Sequence, residues 1–374
     1  MKRFTRWPLL LLLAAASLFA QAPRFLDTSP NNDKTLVLGI CYPTRYALNS
    51  IIALRNEGFL PTENLQVVGL YHEAEDSDYA GARKWAEAEG LDWLAYHEVE
   101  GDLNLADLWK ENACSDEFSL IFKKLNGLIL FGGADIPPYI YGKKTQLLTG
   151  ISTPARHFFE ASLVFHLMGG SQDVNHKALM ESRSNFPVLG ICLGEQTLNV
   201  GTGGTLIQDI WFQKYGKSTV EDAVSLGRDR WHNNPWAKLY PKQGLLRYTL
   251  HPIKTKGQSL FTNELGLSKD DRPMVISSHH QMADKLGRGI RVVATSVDGK
   301  VPEAIMHDQF PNVLGVQFHP EFSTLYDPDV QARITPNETP FSLRSVLEDN
   351  PPSYAFHKAL WQWFVTRLEA EEKP

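Results

Sequence analysis

Apolar runs and amphipathic segments alternate along most of the chain. Short apolar runs with β-branched residues predict buried strands, and apolar positions at helical spacing predict helices between them. The predicted strands lie at 36–42, 65–71, 91–99, 127–131, 187–191, 271–277, 290–296 and 313–318. The predicted helices lie at 46–57, 79–89, 118–125, 158–168 and 354–371. Nearly continuous apolar strands that alternate with helices are typical of a mostly parallel sheet covered on both faces.

The amino terminus follows a different pattern. Three basic residues precede an apolar run at 9–19, and the triplet at 20–22 has the small-x-small pattern of a signal-peptidase site. These features predict a secretory signal peptide at 1–22, and so an exported chain that is periplasmic or secreted. The uncharged stretch is shorter than the ~18 residues that suggest a spanning helix, so no stable membrane span is expected after cleavage. Because Pro23 follows the triplet, cleavage at another bond and retention as an anchor both stay open.

The rest of the chain is predicted to form one domain. An exposed lead-in at 23–35 precedes a single domain at 36–374, in which the rhythm of strands and helices continues without an internal repeat. The segment 211–248 lacks clean periodicity, and we interpret it as an insertion over one edge of the sheet. The amphipathic helix at about 354–371 closes the domain. A single large α/β domain is compatible with the length of 374 residues.

Composition and charge exclude several classes of protein. Hydrophobic residues make up 43% and charged residues 21%, which excludes disorder and fibrous repeats. The net charge of −6 becomes −9 when the signal peptide and its three positive charges are removed, and neither value suggests nucleic-acid binding. Three cysteines are too few for a disulfide scaffold. Cys41 and Cys114 are either a pair in an oxidising compartment or two separate buried thiols.

Candidate chemistry begins at Cys192. Gly190 and Gly194 flank this cysteine, a buried strand is predicted to end just before it, and a helix is predicted to begin just after it. Glycines at these positions allow the tight strand-to-helix turn of a nucleophile elbow. A helix amino terminus also favours a thiolate. The alternative is a cysteine that serves only as a small core residue.

A base and an orienting acid follow another predicted strand. His319 and Glu321 come directly after the run at 313–318, and residues two apart on an extended chain project to the same side. Because ligands bind at the carboxyl ends of parallel strands, Cys192 and His319 are expected to converge although 127 positions separate them. Gly132 and Gly133 follow the strand at 127–131, and the N–H groups of Gly133 and Leu193 are candidates for an oxyanion hole.

Four segments together resemble a known family. They are F-G-G-A-D-I-P-P-Y-I-Y-G at 131–142, G-I-C-L-G-E-Q-T-L-N-V-G-T-G-G-T-L-I-Q-D-I at 190–210, S-S-H-H-Q at 277–281 and G-V-Q-F-H-P-E at 315–321. This combination resembles the class I glutamine amidotransferase superfamily, and within it the gamma-glutamyl-gamma-aminobutyrate hydrolase family of cysteine peptidases. The resemblance implies a flavodoxin-like three-layer α/β/α sandwich with a mostly parallel sheet. It also implies a Cys-His-Glu triad, formed here by Cys192, His319 and Glu321.

The resemblance extends to the pocket, with some departures. Gln196 matches a position that contacts the glutamyl group, while His280 and Gln281 match a segment near the pocket; Gly132 is a further candidate for substrate binding. The family commonly has Arg-Asp where this chain has Arg156-His157, and Asn where it has Ile276. The first 100 residues match the family only in their strand-helix rhythm. These departures concern the substrate and leave the triad intact.

The resulting expectation is a γ-glutamyl hydrolase that forms a thioester on its cysteine. The expected partner is a small γ-glutamyl compound or peptide, with no cofactor and no metal, because no Cys or Asp cluster at ligand spacing accompanies His279 and His280. One alternative is a glutaminase-type amidotransferase subunit, which needs ATP and a partner active site. Another is a non-catalytic protein that binds a γ-glutamyl ligand. The leaving group and the oligomeric state stay open, and a homo-oligomer is compatible with the sequence.

Overall fold

A computed structural model describes residues 24–27 and 35–371 of the chain. The predicted signal peptide and most of the predicted lead-in therefore lie outside the described residues. The strands are β1 (Leu36–Cys41), β2 (Leu65–His72), β3 (Leu94–Val99), β4 (Gly127–Leu130), β5 (Val188–Ile191), β6 (Leu206–Ile207), β7 (Thr249–Thr255), β8 (Met274–Ser277), β9 (Met282–Ala283), β10 (Ile290–Ser296), β11 (Pro302–His307), β12 (Val313–Val316), β13 (Gln331–Ala332) and β14 (Phe341–Ser342). The α-helices are α1 (Arg45–Asn56), α2 (Tyr79–Ala88), α3 (Ser115–Lys124), α4 (Pro154–Met168), α5 (Leu193–Gly201), α6 (Val220–Val224), α7 (Pro235–Leu239), α8 (Leu260–Asn263), α9 (Leu343–Asp349) and α10 (Ser353–Ala370).

Ten of these strands form one sheet, in the order β3-β2-β1-β4-β5-β12-β11-β10-β7-β8. The six strands from β3 to β12 are all parallel, which confirms the predicted α/β fold with a mostly parallel core. β5 and β12 are direct neighbours, with Ile191 paired to Val316. Their carboxyl ends therefore lie side by side, and the segments that follow them emerge at the same edge of the sheet.

The remaining four strands extend the sheet in antiparallel fashion from β12. Neither β7 nor β11 is predicted from the sequence. Both carry buried polar side chains, His251 on β7 and Glu303 on β11, which interrupt the apolar runs that mark buried strands. This extension lies beside the strand that leads to His319.

Helices cover both faces of the parallel part. The strand β1 shows how the faces are divided: Leu38 and Ile40 pack in one apolar cluster, while Val37 and Cys41 pack in another. The first cluster includes buried residues of α1, α2 and α10, and the second includes those of α3, α4 and α5. The result is the predicted three-layer α/β/α sandwich.

Several boundaries differ from those predicted. The strand predicted at 313–318 ends at Val316, and the strands predicted at 91–99 and 271–277 begin later, at Leu94 and Met274. The segment 211–248, whose sequence lacks clean periodicity and which we interpret as an insertion, contains α6, α7 and most of a π-helical turn at Ile210–Lys214. Cys41 and Cys114 are both free and buried, so they are the separate thiols of the two alternatives. Among the described helices, none has the length and apolar character needed to cross a membrane.

Candidate active site

Cys192 lies at the turn between β5 and α5, where the sequence predicts an elbow. Its backbone has φ of 53° and ψ of −101°, a conformation that a non-glycine residue rarely adopts. Its N–H donates to the carbonyl oxygen of Val316 on β12 at 2.8 Å, which anchors the turn to the neighbouring strand. A strained nucleophile position at a helix amino terminus is the geometry expected of a reactive cysteine.

Close backbone packing requires the two glycines that flank the elbow. A Cβ atom on Gly194 would lie 2.1 Å from the carbonyl oxygen of Leu130, and one on Gly190 would lie 2.6 Å from the backbone of Gly194. Both contacts are far closer than van der Waals distance, and both are with backbone atoms that cannot easily move. The spacing of glycines around Cys192 is therefore a steric requirement of the turn.

His319 and Glu321 lie next to Cys192, as predicted. Nδ1 of His319 donates to Oε1 of Glu321 at 2.7 Å, and both side chains are buried. Burial alone would lower the pKa of His319, but the charges of Glu321 and Cys192 outweigh it and raise the pKa to about 10. Nε2 of His319 has no hydrogen-bond partner of ordinary geometry among the described residues. The ring thus has one nitrogen fixed by the acid and the other available for chemistry.

The glycine pair that follows β4 completes this arrangement. A Cβ atom on Gly132 would lie 3.0 Å from Cε1 of His319 and 3.5 Å from Cβ of Cys192, so Gly132 lies directly against both residues. The N–H groups of Gly133 and Leu193 donate to no protein acceptor within the described part of the chain. They are therefore available to stabilise an oxyanion.

Arg156 on α4 supports this glycine turn, a role that its position in the sequence does not indicate. Its guanidinium donates to the carbonyl oxygens of Phe131 at 2.8 Å and Gly132 at 3.2 Å, and to Oε1 of Glu160 at 2.7 Å. Burial lowers the pKa of Arg156, but the carboxylate of Glu160 outweighs this effect and raises it. A Cβ atom on Gly133 would lie 2.0 Å from Nη1, which explains why glycine is needed there.

The predicted substrate-binding residues are engaged in contacts within the protein. Nε2 of Gln196 donates to Oε1 of Gln317 at 3.2 Å, next to the end of β12. Nε2 of Gln281 donates weakly to the carbonyl oxygen of Gln208 at 3.4 Å, and its Oε1 is buried without a partner among the described residues. Both amides are buried, and each donates one hydrogen bond to a neighbouring residue of the chain.

His280 links two loops that border the site. Its Nε2 lies 3.0 Å from Oδ1 of Asp135, and its Nδ1 lies 3.2 Å from Oδ2 of Asp209. Burial lowers the pKa of His280, but the hydrogen bonds to both carboxylates outweigh it and raise the pKa to about 9. Since Asp135 follows the Gly132-Gly133 turn, this ion pair holds that turn in place.

Two further residues near Cys192 and Glu321 are not indicated by the sequence pattern. The hydroxyl of Tyr46 donates to Oε1 of Glu321 at 3.2 Å, although Tyr46 belongs to the region that matches the family only in rhythm. Glu195, three residues after Cys192, is fully buried, and burial and the charge of Glu303 raise its pKa to about 8. Glu195 is part of the motif at 190–210, but the motif does not show that Glu303 lies near enough to change its pKa.

Comparison with known proteins agrees with this geometry. The sequence profile of Peptidase C26 matches residues 108–321, which include all of the glycine turn, the elbow and the His319–Glu321 pair. The glutamine amidotransferase-like protein YvdE of Lactococcus lactis is 33% identical over 194 residues, which cover 52% of this chain and 65% of that protein. A protein of Mycobacterium tuberculosis that is named as a glutamine amidotransferase is 31% identical over 203 residues, covering 54% of this chain and 53% of its own length. The match thus spans about half to two thirds of these relatives.

Fold and site together define a class I glutamine amidotransferase-like domain: a parallel α/β/α sandwich with a cysteine on the elbow after a central strand. Within that class, the chain belongs to the Peptidase C26 family, whose profile matches more than half of it. Membership supports a cysteine hydrolase or an amidotransferase-like enzyme.

Proposed function

We propose that this protein is an exported cysteine hydrolase that cleaves the γ-glutamyl amide bond of a small γ-glutamyl compound or peptide. The carrying observation is the convergence of Cys192, His319 and Glu321 at the carboxyl ends of β5 and β12, with Nδ1 of the imidazole bound to the carboxylate at 2.7 Å. The assignment to the gamma-glutamyl-gamma-aminobutyrate hydrolase family and the export both belong to this proposal. The sequence motifs around the pocket support the family assignment. The basic residues followed by an apolar run at the amino terminus support export.

The mechanism follows from the positions of these groups. The thiolate of Cys192 attacks the γ-carbonyl carbon, and the N–H groups of Gly133 and Leu193 receive the negative charge that develops on the carbonyl oxygen. Protonated His319 gives its Nε2 proton to the leaving amine as the C–N bond breaks, which leaves a γ-glutamyl thioester. The neutral ring then takes a proton from water as the hydroxide attacks the thioester, and glutamate and the free thiolate are released. Glu321 keeps the ring oriented in both steps.

Glutamate release from a panel of γ-glutamyl amides tests this function. The panel contains γ-glutamyl-γ-aminobutyrate, a γ-glutamyl polyamine, a γ-glutamyl peptide, polyglutamate and free glutamine. We compare the full chain with Cys192→Ala and with Cys114→Ala, a buried free thiol far from the elbow in sequence. Release by the wild type and by Cys114→Ala, together with none by Cys192→Ala, supports the proposal. Activity retained in Cys192→Ala contradicts it.

A glutaminase is the second candidate, because the relatives from Lactococcus lactis and Mycobacterium tuberculosis are named as glutamine amidotransferases. The same chemistry would then act on free glutamine and release ammonia. A marked preference for free glutamine over every substituted amide in the panel favours this candidate. A preference for one substituted amide favours the γ-glutamyl hydrolase and identifies its leaving group.

A further inference from the structure

Four buried side chains outside the triad converge on one point. His232 belongs to the 211–248 segment, His251 lies on β7, His279 follows β8, and Glu303 lies on β11. Their potential ligand atoms all lie within 4.8 Å of one another. None of the four side chains is more than 4% exposed. The cluster has no local ligand spacing in the sequence, because its residues come from four separate segments.

The hydrogen bonds of two of these histidines direct their lone pairs toward the centre of the cluster. Nδ1 of His279 bonds to the carbonyl oxygen of Gln281 at 2.8 Å, and Nδ1 of His251 bonds to that of Pro252 at 3.1 Å. A ring that donates from Nδ1 to a carbonyl carries its lone pair on Nε2 when neutral. In known metal sites, a hydrogen bond from the ring nitrogen that does not bind the metal fixes the orientation of the histidine in this way.

The atoms that face the centre have no other partner. Nε2 of His251, Nε2 of His279 and both carboxylate oxygens of Glu303 are buried without a hydrogen-bond partner of ordinary geometry in the described part of the chain, as are both ring nitrogens of His232. Buried polar atoms are nearly always paired, because a buried donor or acceptor without a partner loses the hydrogen bonds it makes to water in the unfolded chain. A bound cation would provide the missing partner for these nitrogen lone pairs and the carboxylate.

These atoms lie close enough together to contact one metal ion, since all are within 4.8 Å of one another. Oε1 of Glu303 lies 3.2 Å from Nδ1 of His232 and 3.6 Å from Nε2 of His251, while Oε2 lies 4.0 Å from Nε2 of His279. Ligands about 2.0–2.1 Å from a tetrahedral zinc ion lie roughly 3.3 Å from one another. We propose that His232, His251, His279 and Glu303 form a structural site for a divalent transition metal, with Zn²⁺ as the preferred ion.

The donor set favours zinc and a structural role. Three imidazole nitrogens and one carboxylate oxygen suit Zn²⁺ better than Ca²⁺ or Mg²⁺, which prefer sites built of oxygen ligands. Four protein ligands close the tetrahedron, whereas catalytic zinc sites keep one position for water or substrate. The ion joins the 211–248 segment to the antiparallel part of the sheet and to the loop that carries His280 and Gln281. It also lies near the triad, since the N–H of Gln317 donates to the carbonyl oxygen of Glu303 at 2.9 Å.

Metal analysis of the full chain tests this site. The protein is purified without metal-affinity chromatography from zinc-supplemented cells, and its metal content is measured by mass spectrometry. We expect about one zinc per wild-type chain, a lower Tm after removal of the metal with a chelator, and recovery on addition of Zn²⁺. Replacement by Co²⁺ is expected to give the visible absorption bands of a tetrahedral site.

Variants connect the ion to these residues. His251→Gln and Glu303→Gln are expected to weaken Zn²⁺ binding at least about tenfold, whereas His307→Gln, which changes a buried histidine outside the cluster, keeps one zinc per chain. Folded wild-type protein without stoichiometric transition metal, and without a Tm response to added Zn²⁺, overturns the proposal. This wild-type result decides the matter even where a variant fails to fold. Metal content is also independent of glutamate release, so the site and the proposed function are tested separately.

Discussion

His319 and Glu321 face each other across 2.7 Å, from Nδ1 of the imidazole to Oε1 of the carboxylate. Neither side chain is more than 7% exposed, so the pair is screened little by water. The carboxylate fixes the ring and, together with Cys192, raises the pKa of His319 to about 10. A protonated imidazole in this position can donate a proton to the leaving group when an amide bond is broken.

Removing the charge of Glu321 is expected to reduce hydrolysis sharply. Glu321→Gln keeps the shape of the side chain but lowers the pKa of His319, because the amide is neutral and no longer stabilises the charged ring. We expect kcat for the best γ-glutamyl amide to fall by about 10²–10⁴-fold, the usual contribution of general acid–base catalysis, with little change in KM. Tyr46→Phe, which removes only the 3.2 Å hydrogen bond to the same carboxylate oxygen, is expected to cost less than about tenfold. Wild-type kcat in Glu321→Gln would contradict the role of the acid.

The sequence was sufficient to predict that Cys192, His319 and Glu321 lie close together. The apolar runs in the sequence predict where β5 and β12 end. Because parallel neighbouring strands have their carboxyl ends side by side, Cys192 and His319 were expected to lie close together. Flanking glycines indicated the elbow because only residues without a Cβ fit against Leu130 and the start of α5. The apolar runs and the flanking glycines are both local sequence patterns, and each is compatible with one backbone arrangement.

Long-range polar contacts were beyond the reach of the sequence. The sequence does not indicate that Arg156 donates to the carbonyl oxygens of Phe131 and Gly132, because that contact depends on how α4 packs against the sheet. Strands β7 and β11 were not predicted, because His251 and Glu303 interrupt the apolar pattern on which strand prediction depends. A buried polar cluster is visible only when segments distant in sequence are brought together.

Removing one partner of the ion pair between Arg156 and Glu160 is expected to destabilise the fold. Both side chains are at most 1% exposed. Arg156→Met leaves a buried carboxylate unpaired and is expected to lower the free energy of unfolding by about 3–5 kcal/mol. The double variant Arg156→Met/Glu160→Leu removes that unpaired charge and is expected to recover part of the loss. Urea denaturation of the wild type, both single variants and the double variant measures the coupling, and additive losses would contradict it.

The elbow glycines are expected to be intolerant of even a methyl group. In Gly194→Ala the new Cβ would meet the carbonyl oxygen of Leu130 at 2.1 Å, so α5 has to move away from β4. We expect a loss of at least about 3 kcal/mol in the free energy of unfolding, at the upper end of overpacking effects. Gly150→Ala is the matched control, because its Cβ would meet nothing closer than 3.9 Å and its backbone is not in the left-handed region. Equal Tm values for the two variants would mean that the elbow is looser than these distances indicate.

Buried neutral histidines are expected to make the fold sensitive to acid, and His357 on α10 is a clear case. Its Nε2 bonds to the carbonyl oxygen of Met274 at 3.2 Å, and burial lowers its pKa to about 4. In the unfolded chain its pKa returns to about 6.5, so between pH 6.5 and 4 the unfolded state binds the proton and the folded state does not. Stability is therefore lost as the pH falls through this window, by on the order of 3 kcal/mol for this residue, and is unaffected above it.

His357→Leu isolates this contribution, because leucine has no proton to bind in either state. The variant is expected to differ from the wild type in the slope of unfolding free energy against pH between pH 6 and 4.5, by at most about 1.4 kcal/mol per pH unit. The comparison of slopes removes any constant effect of the substitution on packing, which shifts the whole curve equally. Urea denaturation at half-unit pH steps measures both curves, with pH 7.5 as the reference. Parallel curves would mean that His357 carries the same proton in the folded and unfolded chains, and that burial does not hold its ring neutral.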